Sequence, residues 1–197
     1  MLIDLADLLK NKYTYLNRNG NSHKLNIKLI NNKKILVSFK IAGKIDKIIS
    51  RVFPRYIKFN ERFAWVFGFF AGEGLKSIEP TSSIYRFAVT NNDPTYIRKV
   101  INVLDETKLL RTNNLPTKCI IIKYGKKCNK SILKSYWSKN LKLSKDKIKI
   151  AKNSEEGKKA KYGTATLCVS NLLLRRVFDL INECFLKIYF KKLNEKY

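Results

Sequence analysis

Residues 63–74 read FAWVFGFFAGEG. Eleven apolar, aromatic or small residues surround one carboxylate, Glu73, held between Gly72 and Gly74. The run is too short to span a bilayer. As a helix it places Ala64, Gly68, Ala71 and Gly72 on a small-residue strip, the kind that lets two helix backbones approach closely. Phe63, Trp65, Val66, Phe67, Phe69 and Phe70 cover the other sides, so burial all round is expected. Glu73 falls at the C-terminal end, where the helix dipole disfavours an anion by a few tenths to about 1 kcal/mol. One explanation is a core helix with a glycine cap and a solvated acid. The other is two such helices side by side, each delivering a carboxylate to a shared edge. Two adjacent carboxylates repel unless a divalent cation lies between them. Mg²⁺ suits that place, because it takes few carboxylates and fills its shell with water and phosphate oxygens.

The rest of the chain makes this acid conspicuous. Lys and Arg number 41 against 15 Asp and Glu, a net charge of +26 in 197 residues. Such an excess calls for a polyanionic partner, and nucleic acid fits it best. A membrane surface fits poorly, since no long basic amphipathic helix is evident. Hydrophobic residues at 45% support a folded core. One histidine and four cysteines without a C-x-x-C pair argue against a structural zinc site, a Ser-His hydrolase and a His-metal nuclease. Acids at Asp4 and Asp7 argue against a secretory or organellar leader, so an intracellular, cytoplasmic, non-secreted protein is expected.

Outward from the helix, the chain divides near residue 58. Residues 1–58 predict a small helix–hairpin–helix appendage. Its parts are a helix over 2–10 with Leu2, Leu5 and Leu9 inward, and a hairpin of alternating strands about Leu25–Leu29 and Ile35–Phe39. Asn31–Asn32 forms the hairpin turn, and a helix over 44–53 ends at Pro54. Residues 59–190 predict a second unit of order α-β-β-α-β-β-α with a Lys-rich insert at about 126–161. Asn60 is placed to cap its first helix, which runs to about Gly72 and is followed by strands at 75–78 and 84–90. Asp93-Pro94 caps the next helix, with Ile97, Val100, Ile101 and Leu104 at helical spacing. Strands follow at 118–124 and 163–170, with a short helix over 131–141 between them. The stretch 144–161 reads as a solvated loop. A last helix starts at Asn171, with its stripe on Leu173, Val177, Leu180, Ile181, Cys184, Phe185 and Ile188.

Val66–Gly74 (VFGFFAGEG) resembles the nine-residue signature of the LAGLIDADG homing endonucleases. Glu73 falls on the metal-binding acid, Gly68 on the helix-packing glycine, and Ala71 replaces an earlier acid. YRFAVTNNDPTYIRKVINVL and KYGTATLCVSNLLLRRVFDLI are similar to the strand–helix portions of that family, and FPRYIKFNERF to the lead-in of archaeal single-motif members. The likeness covers about residues 54–186 and does not extend to the appendage at 1–53. It implies an α+β fold with a saddle-shaped antiparallel sheet over a DNA major groove. The single motif implies a homodimer. Mg²⁺, or another divalent cation, is then held by Glu73 of each copy with the Gly72 carbonyl. Outward strand positions meet the DNA: Arg86 and Thr90 on the second strand, Lys123 on the third, Thr164 and Thr166 on the fourth. On the first strand the phase is open between Ser77 with Glu79, and Lys76. Lys126, Lys127, Lys158, Lys159 and Lys161 are placed on phosphates, with a solvated surface as the simpler explanation for any one of them. Lys123 and Lys161 are also the candidates for active-site lysines, without a local motif. The function implied is a Mg²⁺-dependent, site-specific double-stranded DNA endonuclease. The alternative is a non-cleaving binder of DNA or RNA on the same fold: a transcription regulator, an intron-splicing helper, or a structured-RNA or ribosome-bound factor. A third is a basic interaction protein of this topology.

Overall fold

The structure, a computed structural model, describes residues 1–15, 22–41, 47–73, 86–124, 129–152 and 161–194. The class is α+β, as expected, and the chain groups into two compact units. Of the described residues, the first takes those within 1–60 together with 171–194, and the second takes 61–73 with those within 86–170.

In the first unit, β1 (Leu2–Asp4) leads into α1 (Leu5–Leu9). The helix expected over 2–10 therefore begins late. Leu2–Asp4 find a partner in β7 (Tyr56–Lys58), and Asp4 caps α1 by accepting from the Ala6 N–H at 2.8 Å. A short ribbon joins β2 (Tyr13–Tyr15) to β3 (Ser22–Lys24). The hairpin forms as expected from β4 (Asn26–Asn31) and β5 (Lys34–Ile41), with Asn31 Oδ1 accepting from the Lys33 N–H at the turn. Ile35, Val37 and Phe39 are buried and the residues between them are not, as period-two alternation requires.

The helix expected over 44–53 is instead a third strand, β6 (Lys47–Pro54), antiparallel to β5. Ile48, Ile49 and Val52 are β-branched, and β5 offers them a full row of backbone partners. The strand keeps apolar residues on both faces, with Ile48 and Val52 exposed on one and Phe53 buried on the other. The last helix, α5 (Leu172–Asn194), belongs to this unit and packs on α1. Asn171 opens it by accepting from the Leu174 N–H at 3.0 Å. Leu173, Val177, Leu180 and Ile181 are buried, but Cys184, expected in the stripe, is exposed. The side chains of Phe185 and Ile188 lie outside the described residues.

In the second unit a four-stranded sheet has the order β10-β9-β11-β8. These strands are β8 (Phe87–Asn91), β9 (Ile120–Tyr124), β10 (Ile148–Lys152) and β11 (Thr164–Val169). β11 is antiparallel to both neighbours, whereas β10 runs parallel to β9. Two corrections follow. The sheet is mixed, not wholly antiparallel, and the stretch expected as a loop holds a strand. Ile148 and Ile150 alternate with Lys149 and supply its inward face. A parallel neighbour requires a crossover, which α4 (Lys130–Leu141) provides. Residues 75–78, expected as the first strand, lie outside the described residues.

Helices α2 (Glu61–Glu73), α3 (Pro94–Glu106) and α4 pack on the sheet. Asp93 Oδ1 accepts from the Thr95 N–H at 2.8 Å with Pro94 at the first position, which is the predicted start of α3. Asn129 caps α4, and Leu133, Trp137 and Leu141 are its buried stripe. Trp137 is fully buried, and its indole N–H donates to the Tyr162 carbonyl at 2.7 Å. Among the described residues no helix is long and apolar enough to cross a membrane.

Candidate nucleic-acid interface

The four-stranded sheet has a core face built from Phe87, Val89, Ala165, Leu167, Ile120 and Ile122, all buried. Alternation sends the intervening residues to the other face. There the register sets Thr166 directly opposite Thr90, and Thr164 opposite Lys123. The Thr90 and Thr166 hydroxyls are 2.9 Å apart. Arg86 joins them from just before β8, donating from Nη1 to Cys168 Sγ at 3.2 Å. Five of the residues expected to meet nucleic acid thus share one face of one sheet. They are not equally presented. Arg86, Thr90, Lys123 and Thr166 are half-buried, whereas Thr164 is 9% exposed and closed off from solvent. Gly163 precedes its strand, and the left-handed backbone there (φ 72°) brings the chain against the Lys123 carbonyl.

Pairing with β10 adds a residue missed in the sequence. Lys149 stands beside Ile121 on this same face and is exposed. Ile148-Lys149-Ile150 alternation was the available signal, hidden by the surrounding lysines. Toward Ala88, Cys119 and Cys168 the sheet is covered. Burial there pushes the Cys119 thiol up to about 11. Lys161 is exposed beside the Tyr162 ring, which stacks on Tyr136 with centroids 3.8 Å apart. Lys76, Ser77, Glu79, Lys126, Lys127, Lys158 and Lys159 lie outside the described residues.

Helix α2 is buried on one face only, through Phe63, Val66 and Phe70. Burial all round, expected from its composition, does not occur in the single chain. Trp65 and Phe69 on its flank lie nearly parallel to Tyr96 of α3, and the Lys99 ammonium sits 3.9 Å from the Trp65 centroid. The small-residue strip stays open. Gly68, Ala71 and Gly72 are exposed and Ala64 is half-buried. A Cβ built on Gly68 or Gly72 would meet nothing within 4 Å. Glu73, the last residue of α2, is exposed at the end of this strip.

Phe70, one turn before Glu73, stacks on Phe87 at 5.0 Å between centroids. Lys123 is at the far end of the sheet from that contact. Its partner Thr164 lies five residues along β11 from Val169, the partner of Phe87, or roughly 17 Å at strand rise. The proposed active-site lysines therefore line the distal end of the sheet.

Among the described residues no three His, Cys, Asp or Glu side chains come together as a metal cage. Glu73 supplies one exposed carboxylate per chain, a hard oxygen donor of the type Mg²⁺ uses singly or in pairs. Compared with known proteins, the chain matches no family model and is significantly similar to no curated protein.

Proposed function

We propose that this protein is a homodimeric endonuclease that recognises and cuts double-stranded DNA. The observation carrying the reading is the register that aligns Thr166 with Thr90 and brings Lys123 and the exposed Lys149 to the same face of a four-stranded sheet. A B-form major groove admits a β-ribbon, and hydroxyls and cations at strand spacing are suitable partners for base edges and phosphates. The net charge of +26 supplies sequence-independent attraction.

Cutting rests on α2. Two copies laid strip to strip through Ala64, Gly68, Ala71 and Gly72 would bring two Glu73 carboxylates to one edge. The open space over Gly68 and Gly72 supports this packing. Two Glu73 side chains with the Gly72 carbonyls would hold a divalent cation, whose chemistry there is water activation and stabilisation of the leaving oxygen. Lys123, Lys161 and Lys149, toward the distal end of the sheet, hold flanking phosphates in this reading.

The test is cleavage of a random-sequence duplex library with Mg²⁺ by wild type and Glu73→Gln, read by sequencing the new ends. Defined cuts made only by wild type support the endonuclease. Absence of cuts, with equal and salt-dependent binding by both proteins, replaces it with a non-cleaving binder. One observation favours that second reading: the parallel β9–β10 pair departs from the antiparallel saddle that the resemblance implies.

A further inference from the structure

The three-stranded sheet of the first unit has the order β4-β5-β6. Its inner face is closed by Ile35, Val37, Phe39 and Phe53. Its outer face is open: along β5 the burial alternates, and the edge-strand residues beside it are exposed. Registers define what that face carries. Asn26, Ser38 and Ser50 form one continuous row across the strands. Lys28, Leu36 and Val52 form the next. Lys34 and Lys40 stand outward at the two ends of the central strand, and Lys40 pairs with Ile48. The Asn-Ser-Ser row and the apolar pair Leu36 and Val52 occupy the middle, and cations the margins.

We propose that this outer face is a second duplex-DNA-binding surface, separate from the four-stranded sheet. Among the described residues its rows hold no acid, and cations at the margins fit phosphate while the Asn-Ser-Ser row fits base edges. Ile48 (67% exposed) and Val52 (47%) are aliphatic groups on the same face, suited to thymine methyls in the major groove. Two adjacent strands at ~4.8 Å spacing make the two-stranded ribbon that a groove about 12 Å wide admits. The rows carry no aromatic ring, so the stacking platform that unpaired bases need is lacking here. The deep, narrow major groove of RNA duplexes does not admit such a sheet. The inference shares only its partner class, double-stranded DNA, with the function proposed above. It does not depend on Glu73 or on a dimer.

The test uses the full chain and site selection from a random duplex library, with affinity measured across salt concentrations. The variants are Lys28→Ala/Lys34→Ala/Lys40→Ala, Ser50→Ala and Arg86→Ala/Lys123→Ala. The triple variant is expected to lower the slope of log affinity against log salt by about 2.7, near 0.9 per lost phosphate contact. It should also lose preference for one block of base pairs. Ser50→Ala should flatten preference at a single position with the slope intact. All three lysines are exposed, so a melting temperature within a few degrees of wild type is expected, by the usual small effect of surface substitutions, and separates lost binding from lost fold. A triple variant with wild-type slope and wild-type site overturns this inference and leaves the four-stranded sheet in place. Loss in the triple variant alone, with Arg86→Ala/Lys123→Ala unchanged, upholds it and removes the other sheet as the interface. Binding to RNA in preference to duplex DNA, abolished in the triple variant, overturns the duplex assignment. Wild type without duplex affinity overturns both.

Discussion

Single residues show where local chemistry decides. Gly163 adopts φ 72°, and an added Cβ would sit 2.5 Å from the Lys123 carbonyl oxygen, with Ile122 and Tyr124 at 3.2 and 3.3 Å. The nearest obstacle is backbone, which cannot swing away. Gly163→Ala is expected to cost about 2–3 kcal/mol by chemical denaturation, from positive φ and overpacking together. Asp4 caps α1 and receives the Arg55 guanidinium at 2.9 Å. Burial alone would raise its pKa, but the Arg55 and Ala6 hydrogen bonds outweigh it and hold the carboxyl below its usual value. A lowered folded pKa means that stabilisation is present above the unfolded pKa and disappears as pH falls through the folded one. Asp4→Ala should therefore cost about 1 kcal/mol at pH 7, and melts in increasing acid should show the difference shrinking. Thiol chemistry divides the same way. Cys184 is exposed, whereas Cys119 is buried with its thiol raised to about 11. At pH 8 a thiol reagent should label Cys184 rapidly and reach Cys119 only in denaturant, as peptide mapping would show.

At the scale of elements, helix starts were the most legible. Asp93-Pro94 before α3 and Asn171 before α5 satisfy N–H groups within three residues of themselves, so the signal is local, whereas the Asn129 cap of α4 was not read from the sequence. Trp137 anchors α4, fully buried with its N–H satisfied. Trp137→Ala should cost about 3–5 kcal/mol in urea unfolding. Helix α2 was legible as a helix but not in its burial. Its composition cannot say which apolar face is covered by the same chain and which is left open. That open strip gives a prediction with two readouts. Gly68→Ala meets no atom in the single chain, and replacing a helical glycine should stabilise the monomer by up to about 1 kcal/mol. In a strip-to-strip dimer Gly68→Leu blocks the approach, so ultracentrifugation should show a monomer with an intact circular dichroism spectrum. An undisturbed dimer would remove α2 as the seam.

For the molecule as a whole, charge and alternation carried most of what could be inferred in advance. The excess of lysine over acid, the hairpin itself (its turn falling at Asn32-Lys33, one residue beyond the expected Asn31-Asn32), the inward phases of β8, β9 and β11, and the starts of α3 and α5 all depend on near neighbours in the chain. Those features the sequence determined by itself. Tertiary structure decided the others. Lys47–Pro54 became a strand because β5 offers it hydrogen-bond partners, and Ile148–Lys152 because β9 lies beside it. Neither partner can be named from a local pattern, since a β-branched run satisfies its backbone equally well in a helix until a neighbouring strand competes. Register belongs to the same class. That Thr166 meets Thr90, that Thr164 meets Lys123, and that Asn26, Ser38 and Ser50 line up across three strands is set by contacts between distant segments. A slip of one residue would send every one of those side chains to the opposite face. The residue types at both candidate surfaces were thus present in the sequence, while their assembly into surfaces required the long-range pairing of strands.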